Sequence, residues 1–509
     1  MSDCKVIIIG AGISGLKSSI DLTSNGIDNL ILEARDRVGG RLHTINTKSN
    51  TSLDLGASWF HDCLNNPLLD KSINKGNVNY YFDNGKFQIY NKELGLIDND
   101  KLKLKPVVDE MNSYLEHVIG TQTSKDDISV KQAILQYLRL KKNTLTQDQI
   151  KYAPQLLRYN EMWIGSSWNI LSGRLIAGDS HLGRDAMITN GYKTVYDNEF
   201  EELSKMSKKD KSKSLIGDKI LLEKQVFKIS FNDSTKLISV HVKNLKNNEI
   251  EIYKCEYLIC SIPLSVLKLT DLNEIGAIEW EPKLPKSITS KLNKITYSQL
   301  GKVFIEFDEK DKVFWPKDVD RFFCIPEIDN QMINAINDND KNFKYPNQKT
   351  DNKLNLNDSL NCWNYPILFM NLYASSGKPI LLALTSSPLT NYIESNSNDF
   401  NKLWEFFKPL IKTISNENIA PPSPINIYTS NWTNDPFARG SYTGCAVGDE
   451  LDECIEELIE AKGIFDNKGR VKFVGEALIN QGNGCVHGAW LTAKRETDKL
   501  IKIINKSKL

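Results

Sequence analysis

The first clear pattern in the chain is a run of apolar residues that gives way to a helical spacing. Residues 6–9, read as VIII, are typical of a strand buried on both faces of a parallel sheet. A helix is predicted over 14–24, and a second apolar run at 29–32 completes a β-α-β unit of about 30 residues. The chain therefore opens with half of a nucleotide-binding fold.

Two later apolar runs, far along the chain, show the same pattern of a buried strand. The run at 255–267 predicts a strand that leads into a helix, and the run at 470–478 predicts a strand that ends in a glycine turn. A last helix is predicted over about 489–506. One parallel-sheet domain is thus expected to be assembled from separated segments.

The sequence between these segments predicts a second domain. It is helical and rich in Leu, Tyr and Lys over about 70–200, and strand-like over 303–384. We expect an α/β protein in which a Rossmann-like dinucleotide-binding domain is interleaved with an α+β substrate-binding domain. The predicted segments are 1–70, 215–285 and 425–506 for the first domain, and 71–214 and 286–424 for the second.

Composition and charge remove several classes of function. Lys plus Arg equals Asp plus Glu at 64 each, so the chain lacks the overall positive charge that nucleic acid or an anionic membrane would attract.

The lysine run at 208–213 is expected to be a solvated loop, and the Asn-rich stretch at 337–361 is expected to be a mobile surface insertion. No apolar stretch reaches the roughly 18 residues that a membrane span needs.

The nine cysteines are scattered and never spaced as CxxC, which is typical of a reducing compartment. This spacing predicts neither a disulfide framework nor a metal site.

The candidate chemistry begins at Gly10, Gly12 and Gly15, which form GxGxxG between the predicted strand and helix. Glu33 ends the next strand at the distance from which an acid binds a ribose hydroxyl. The glycines let the backbone approach a pyrophosphate, whose charge the helix N-terminus favours. Nicotinamide and flavin dinucleotides both use this loop, so the loop alone does not choose between them.

Five further stretches resemble the signatures of the flavin-containing amine oxidases. They are LEARDRVGGRLHT at 32–44, DLGASWFHD at 54–62, LGKVFIEF at 300–307, NWTNDPFARGSYTG at 431–444 and FVGEALINQGNGCVHGAWLTAKRE at 473–496. With NEMWIGSSW at 160–168 they occur in family order over nearly the whole chain. Within the family, the likeness is greatest to yeast-type and animal polyamine oxidases.

This resemblance implies FAD as the cofactor, held without a covalent bond because Ser441 stands where monoamine oxidases carry the attaching cysteine. Ala477 stands where relatives have histidine, so no role is assigned there. The cofactor contacts implied by the family motifs and the glycine loop are Gly10, Gly12, Ser14, Gly15, Glu33, Ala34, Arg35, Gly40, Arg41, Gly56, Ala57, Ser58, Trp59, Val226, Trp432, Gly475, Glu476, Cys485 and Val486.

The resemblance also implies the catalytic residues. Lys302 corresponds to the family lysine that holds a water beside the flavin, and His61 lies in a Trp-x-His pattern typical of polyamine oxidases. Aromatic and histidine side chains are expected to contact the substrate, and the candidates are His61, Trp168, Tyr442 and His487.

The implied reaction oxidises the carbon beside a secondary amine, with O2 as the final acceptor and H2O2 as a product. A mostly neutral His61, where plant relatives have an acid, favours an amide-capped end, which predicts N1-acetylspermine and N1-acetylspermidine as substrates. Asp62 would argue for free spermine if it faced the substrate. Free spermine, an amino-acid or monoamine oxidase of the same fold, and a binding protein that keeps FAD without turnover stay open as alternatives.

The chain ends in Ser507, Lys508 and Leu509, a tripeptide that an import receptor reads as a peroxisomal address. We expect the protein to reside in the peroxisomal matrix, where catalase would remove its peroxide.

Deleting these three residues should leave the protein in the cytosol, as judged by fluorescence microscopy of tagged protein. Its activity in vitro should be unchanged. A truncated protein that still co-localises with peroxisomes would contradict the assignment.

Overall fold

The computed structural model describes residues 3–176, 181–207, 214–310, 312–337, 342–415 and 420–506. Five parallel strands form the first sheet. Their spatial order is Ile220–Leu221, Asn29–Leu32, Val6–Ile9, Tyr257–Cys260 and Val471–Phe473. This sheet gathers strands from three separated regions of the chain, as expected for an interleaved domain.

Helices cover the first sheet because its strands are apolar on both faces. Helix Ile13–Ser24 lies against the C-terminal helix Val486–Lys506 and against Lys193–Ser207. Val6 and Ile8 are fully buried and pack in one cluster with Leu500 of the C-terminal helix. The parallel sheet is thus enclosed, which its hydrophobic pattern requires.

A second, seven-stranded sheet forms the core of the other domain. Its spatial order is Asn426–Thr429, Gly301–Glu306, Ile380–Thr385, Ile367–Asn371, Arg321–Cys324, Phe87–Asn91 and Gly95–Leu96. The pairings are antiparallel except the one between Arg321–Cys324 and Phe87–Asn91.

Helix Phe400–Ile414 covers one face of this sheet, and the helices between 104 and 164 pack against the other. Several of these helices begin at side chains that cap their free N–H groups. Thr146 forms a capping box with Gln149, and ahead of the separate helix Pro67–Lys75 the Asn66 side-chain oxygen Oδ1 accepts from the backbone N–H groups of Leu68 and Leu69.

Smaller sheets and connecting helices complete the fold. The other strands are Thr44–Asn46, Ser52–Asp54, Trp59–Phe60, Tyr80–Tyr81, Ala186–Ile188, Lys224–Asn232, Leu237–Asn244, Ile250–Cys255, Glu279–Glu281, Tyr297–Ser298 and Tyr442–Thr443. The other helices and helical turns are Pro67–Lys75, Asn99–Leu102, Leu104–Tyr114, Leu115–Ile119, Val130–Lys141, Gln147–Leu157, Arg158–Asn160, Glu161–Ile164, Gly173–Ile176, Leu215–Asp218, Leu264–Leu267, Lys286–Leu292, Asn330–Asn337, Cys362–Asn364, Leu372–Ser376, Leu389–Ser395, Leu451–Glu460 and Glu476–Leu478.

The expected α/β class and the two opening strands are confirmed, and the last helix begins at Val486, three residues before its predicted start. One predicted segment boundary is wrong. Strand Asn426–Thr429 was placed in the dinucleotide-binding domain but pairs with Gly301–Glu306 of the seven-stranded sheet. The division of the remaining chain into segments stays a prediction.

The insertion at 337–361 is only partly a surface loop. Tyr345 is 9% exposed, and its backbone N–H donates to the Gln132 side chain over 2.7 Å. Asp351 accepts hydrogen bonds from Ser167 and Ser387 over 2.5 and 2.6 Å. These polar contacts attach a hydrophilic segment to the helical region, which composition alone did not indicate.

Some predictions fall outside the described residues, namely the lysine run at 208–213, part of the insertion at 338–341, and the terminal tripeptide at 507–509. Within the described ranges, every helix is too short or too polar to cross a bilayer.

Candidate active site

A cavity of about 990 Å³ lies where the two domains meet. One part is lined by the turn after strand Val6–Ile9 and by the residues after Asn29–Leu32. Another part is lined by Lys302 and Leu384 of the seven-stranded sheet. The cavity therefore lies at the carboxyl ends of parallel strands, where open α/β sheets bind ligands.

Two glycines of the turn, Gly15 and Gly12, have different structural roles. A Cβ on Gly15 would lie 2.0 Å from the Gly10 carbonyl oxygen, so only glycine lets the helix pack this closely on the strand. A Cβ on Gly12 would meet no protein atom within 4 Å, although Gly12 lines the cavity. The space beside Gly12 and the N-terminus of helix Ile13–Ser24 fit a pyrophosphate.

Glu33 is buried at the cavity wall and holds the turn in place. Its carboxylate accepts hydrogen bonds from the backbone N–H groups of Ala11, over 2.7 Å, and Arg35, over 2.9 Å. An ionised carboxylate has about four acceptor positions, so capacity remains for a ribose hydroxyl. The Arg35 guanidinium pairs in turn with Asp435 over 2.8 to 3.2 Å.

Arg41 and Glu476, which also line the cavity, form a partly buried ion pair with 3.0 Å between Nη1 and Oε1. Glu476 also accepts from the Tyr297 hydroxyl over 3.2 Å and from the Thr443 hydroxyl over 3.0 Å. Burial opposes the charge of Arg41, but the Glu476 carboxylate outweighs it and raises the arginine pKa. The cavity thus has a fixed positive group that is already oriented by its partners.

Lys302 is 4% exposed and points from the seven-stranded sheet into the cavity wall. Its Nζ donates to the Asp54 carbonyl over 3.2 Å, and also to the Gly56 carbonyl and the Ser58 hydroxyl. The Nζ lies 5.0 Å from the centroid of the Trp59 ring. Burial lowers the pKa of Lys302 to about 8, although the Asp54 carboxylate opposes the shift. This amine can therefore exchange a proton near neutral pH.

His61 belongs to a cluster that sequence reasoning did not find. Its Nδ1 lies 3.0 Å from Oδ2 of Asp185, and the Nδ1 of His181 lies 2.9 Å from the same oxygen. Burial opposes the charge of Asp185, but the close approach of the His181 and His61 imidazoles lowers its pKa well below the usual range. His181 and Asp185 lie in a polar stretch without a recognisable motif, so only the fold brings them to His61.

Most predicted contacts line the cavity. They are Gly10, Gly12, Ser14, Glu33, Ala34, Arg35, Gly40, Arg41, Gly56, Ala57, Ser58, Trp59, His61, Val226, Lys302, Trp432, Tyr442, Gly475, Glu476, Cys485 and Val486. Gly15 lies behind the turn and acts through packing.

Two predicted substrate contacts do not line the cavity. Trp168 is 3% exposed and packs in the hydrophobic core, with the Arg158 guanidinium 4.9 Å from its ring centroid. His487 is buried with its Nε2 3.0 Å from Asp62. Burial lowers the His487 pKa even though Asp62 opposes the shift. Both side chains fill the interior, so the structure does not support direct contact with a substrate.

Other cavity residues are not among the predicted contacts, although two of them lie in the stretch at 160–168 that resembles a family signature. Trp163 and Asn160 come from the helical region, and the Tyr442 hydroxyl donates to the Trp163 carbonyl. Arg174 also lines the cavity, and its guanidinium donates to the Asp449 carbonyl over 3.3 Å. Long-range packing, which no short motif encodes, places these side chains together.

The parallel sheet, the glycine turn and the buried acid define a protein that binds a dinucleotide cofactor beside a pocket lined by aromatic side chains. A family model described as flavin containing amine oxidoreductase matches residues 13–167 and 177–501. The chain therefore belongs to the flavin-containing amine oxidoreductase family, and its cofactor is FAD.

Individual relatives extend over almost the entire chain. A corticosteroid-binding protein of Candida albicans is 32% identical, with 98% of this chain and 96% of the relative covered. Polyamine oxidase 1 of Zea mays is 25% identical over 99% of this chain and 91% of its own length. A protein of Arabidopsis thaliana named probable polyamine oxidase 4 is 24% identical, with coverages of 96% and 84%.

The residues present fit FAD. Gly12 and Gly475 line the cavity, and a Cβ at either position would meet no protein atom within 4 Å, which leaves room for a cofactor against the backbone. Glu33 would hold the ribose, the turn at Gly12 the pyrophosphate, and Arg41 further polar atoms of the cofactor. When bound, FAD supplies a two-electron oxidant for amine chemistry.

Substituting Gly12 tests the pyrophosphate site. Gly12→Val should purify with little FAD because its side chain fills cavity space, and its φ of −73° suits any residue. The unfolding temperature of the FAD-free protein should stay close to wild type, since no protein atom lies near the new Cβ. Absorbance at the flavin band and thermal unfolding measure both quantities, and full FAD occupancy would contradict the assignment.

The pKa of Lys302 predicts a specific pH profile. Turnover should rise with pH through about 8 as Nζ becomes neutral, because the neutral amine can accept a proton. Lys302→Met should lower kcat by roughly 100-fold and remove this inflection while FAD stays bound. Both proteins are compared on the same amine, so that titration of the substrate is common to them. An unchanged inflection in the variant would assign it to another group.

Proposed function

We propose that the protein is an FAD-dependent polyamine oxidase that acts on N1-acetylspermine and N1-acetylspermidine. With O2 and water it would yield 3-acetamidopropanal, H2O2, and spermidine or putrescine. Membership of the amine oxidoreductase family and the two plant polyamine oxidases among its relatives support this proposal. The observation that carries it is Lys302, buried beside Trp59 in the wall of a cavity that His61 also lines.

The reaction requires a neutral amine held with its methylene group in a dry pocket. Trp59 and Tyr442 offer aromatic walls for a methylene chain, and Leu384 adds an apolar surface. Lys302 can take up or release a proton through a water, since its pKa lies near 8. Two electrons leave the substrate carbon as its C–H bond breaks, and water then hydrolyses the resulting imine to aldehyde and amine.

The electrostatics near His61 favour a substrate with a capped end. Asp62 does not line the cavity: its carboxylate accepts from the Leu182 N–H and lies 3.0 Å from the buried His487. Asp185 does line it, but its Oδ2 lies within 3.0 Å of two histidine nitrogens. An incoming primary ammonium would have to share this carboxylate with two imidazoles that already approach Oδ2, whereas an acetamide needs no counter-charge.

The substrate preference follows from this arrangement. kcat/KM for N1-acetylspermine should exceed that for free spermine by at least about tenfold, because an ammonium without a full partner costs more than 1.4 kcal/mol. Peroxide release from a panel of acetylated and free polyamines, monoamines and amino acids provides the measurement.

A ratio that favours free spermine would reject the acetylated substrates. Oxidation of amino acids alone would reject the polyamine assignment and direct attention to Arg174, whose guanidinium could bind a carboxylate.

A second candidate function is the binding of a corticosteroid in the same cavity. The 32% identical relative named a corticosteroid-binding protein supports it, and so do the Trp59, Trp163 and Tyr442 side chains that line the cavity. A flat apolar ligand would lie against these aromatic surfaces.

Equilibrium binding of a radiolabelled corticosteroid to the FAD-loaded protein separates the two candidates. Saturable binding without peroxide release from any amine would favour the binding protein. Amine turnover without steroid binding would favour the oxidase. Trp163→Ala should weaken steroid binding, and Trp280→Ala, which alters a buried tryptophan outside the cavity lining, is the matched control.

A further inference from the structure

We propose that His61, His181 and Asp185 form a binding site for one divalent transition-metal ion, of which Zn²⁺ is the best match, at the solvent-exposed end of the cavity. All three residues line the cavity, and their candidate ligand atoms lie within 4.8 Å of one another. His61 precedes His181 by 120 positions, and Asp185 follows His181 by only four, so the sequence brings just two of the three ligands close and predicted no metal site.

The distances are close to those of a tetrahedral zinc site. Zn²⁺ binds His nitrogen and carboxylate oxygen at about 2.0 to 2.2 Å, which places neighbouring ligand atoms about 3.3 Å apart. Asp185 Oδ2 already lies 3.0 Å from Nδ1 of His61 and 2.9 Å from Nδ1 of His181. Widening each of these two separations by a few tenths of an ångström would bring it to the zinc value.

Two polar atoms of the cluster lack the partners that their burial calls for. His61 Nδ1 is shielded from solvent and has no hydrogen-bond partner among the described residues. It lies 3.0 Å from Asp185 Oδ2, but the angles of this contact are not those of a hydrogen bond. Asp185 Oδ1 is also shielded and has no hydrogen-bond partner among the described residues. Buried polar atoms are normally satisfied. An ion between these side chains would satisfy His61 Nδ1, and binding through both carboxylate oxygens would satisfy Asp185 Oδ1 as well.

The ligand set selects the class of ion. Two imidazoles and one carboxylate suit Zn²⁺ and its first-row neighbours, whereas Mg²⁺ and Ca²⁺ prefer oxygen ligands alone. His181 is exposed, which gives an ion access from solvent and leaves a fourth position for water.

A second cluster of possible ligands, Asp62, Cys485 and His487, is a weaker candidate. All three residues are buried, and Asp62 already accepts hydrogen bonds from the Leu182 N–H and from Gln481. An ion there would have no open path and would displace an existing network.

The consequence of metal binding is a block at the entrance of the cavity. An ion bound to Nδ1 of His61 would place positive charge where a cationic amine has to pass, and it would restrain the imidazole beside Trp59. Zinc should therefore inhibit a cationic substrate competitively. This effect depends on the proposed oxidase function, whereas the binding itself does not.

The test is a titration of the FAD-loaded protein with Zn²⁺, after dialysis against chelator, by isothermal calorimetry and by metal analysis of dialysed samples. One equivalent should bind to the wild type. Affinity should fall at least tenfold in His181→Ala and in Asp185→Asn, because each removes one ligand. His117→Ala alters an exposed histidine outside the cavity lining and should bind Zn²⁺ like the wild type.

Co²⁺ provides a spectroscopic check of the geometry. The wild type should show the visible absorption of tetrahedral cobalt, and His181→Ala should lose it while its flavin band is retained.

The absence of stoichiometric Zn²⁺ binding in the wild type would overturn the proposal. Undiminished affinity in both His181→Ala and Asp185→Asn would overturn it as well, and an equal loss in His117→Ala would reveal non-specific histidine binding. Failure of amine turnover leaves each of these results interpretable, since none depends on activity.

Discussion

The structure depends on how the short segment from Asp54 to Ser58 is held between the two domains. A Cβ on Gly56 would lie 1.7 Å from the Arg41 carbonyl oxygen. The segment can therefore pack against the cofactor-binding loop only if residue 56 is glycine. From the other side, Lys302 donates to two carbonyl oxygens and one hydroxyl of the same segment. The lysine thereby connects the seven-stranded sheet to the wall of the nucleotide domain.

This connection explains how one side chain can hold the two domains together and still exchange a proton near pH 8. A lysine taken out of water keeps its proton poorly, and the three oxygens around Nζ only partly compensate. The amine is consequently fixed in position and yet able to lose its proton near pH 8. Trp432 supports the same segment through its indole N–H, which donates to the Leu55 carbonyl over 2.7 Å.

The charged groups of the cavity differ in how well they are paired. Around the predicted cofactor site, Arg41 is paired with Glu476, and Arg35 with Asp435, over distances of 3.0 and 2.8 Å. At the other end, His61 and Asp185 retain shielded polar atoms without hydrogen-bond partners among the described residues. Satisfied pairs suit a rigid cofactor cradle, whereas shielded groups without partners suit a site that a ligand can complete.

Local patterns in the sequence were enough to predict strands Val6–Ile9 and Asn29–Leu32, the glycine turn and Glu33, because each depends on a few adjacent residues and their backbone preferences. The family motifs added Lys302 and His61. Tertiary structure alone decided that Trp168 and His487 pack inside, since an aromatic side chain fills a core as readily as it lines a pocket. It also decided that His181 and Asp185 meet His61, because contacts between remote segments arise from packing that no short pattern of residues records.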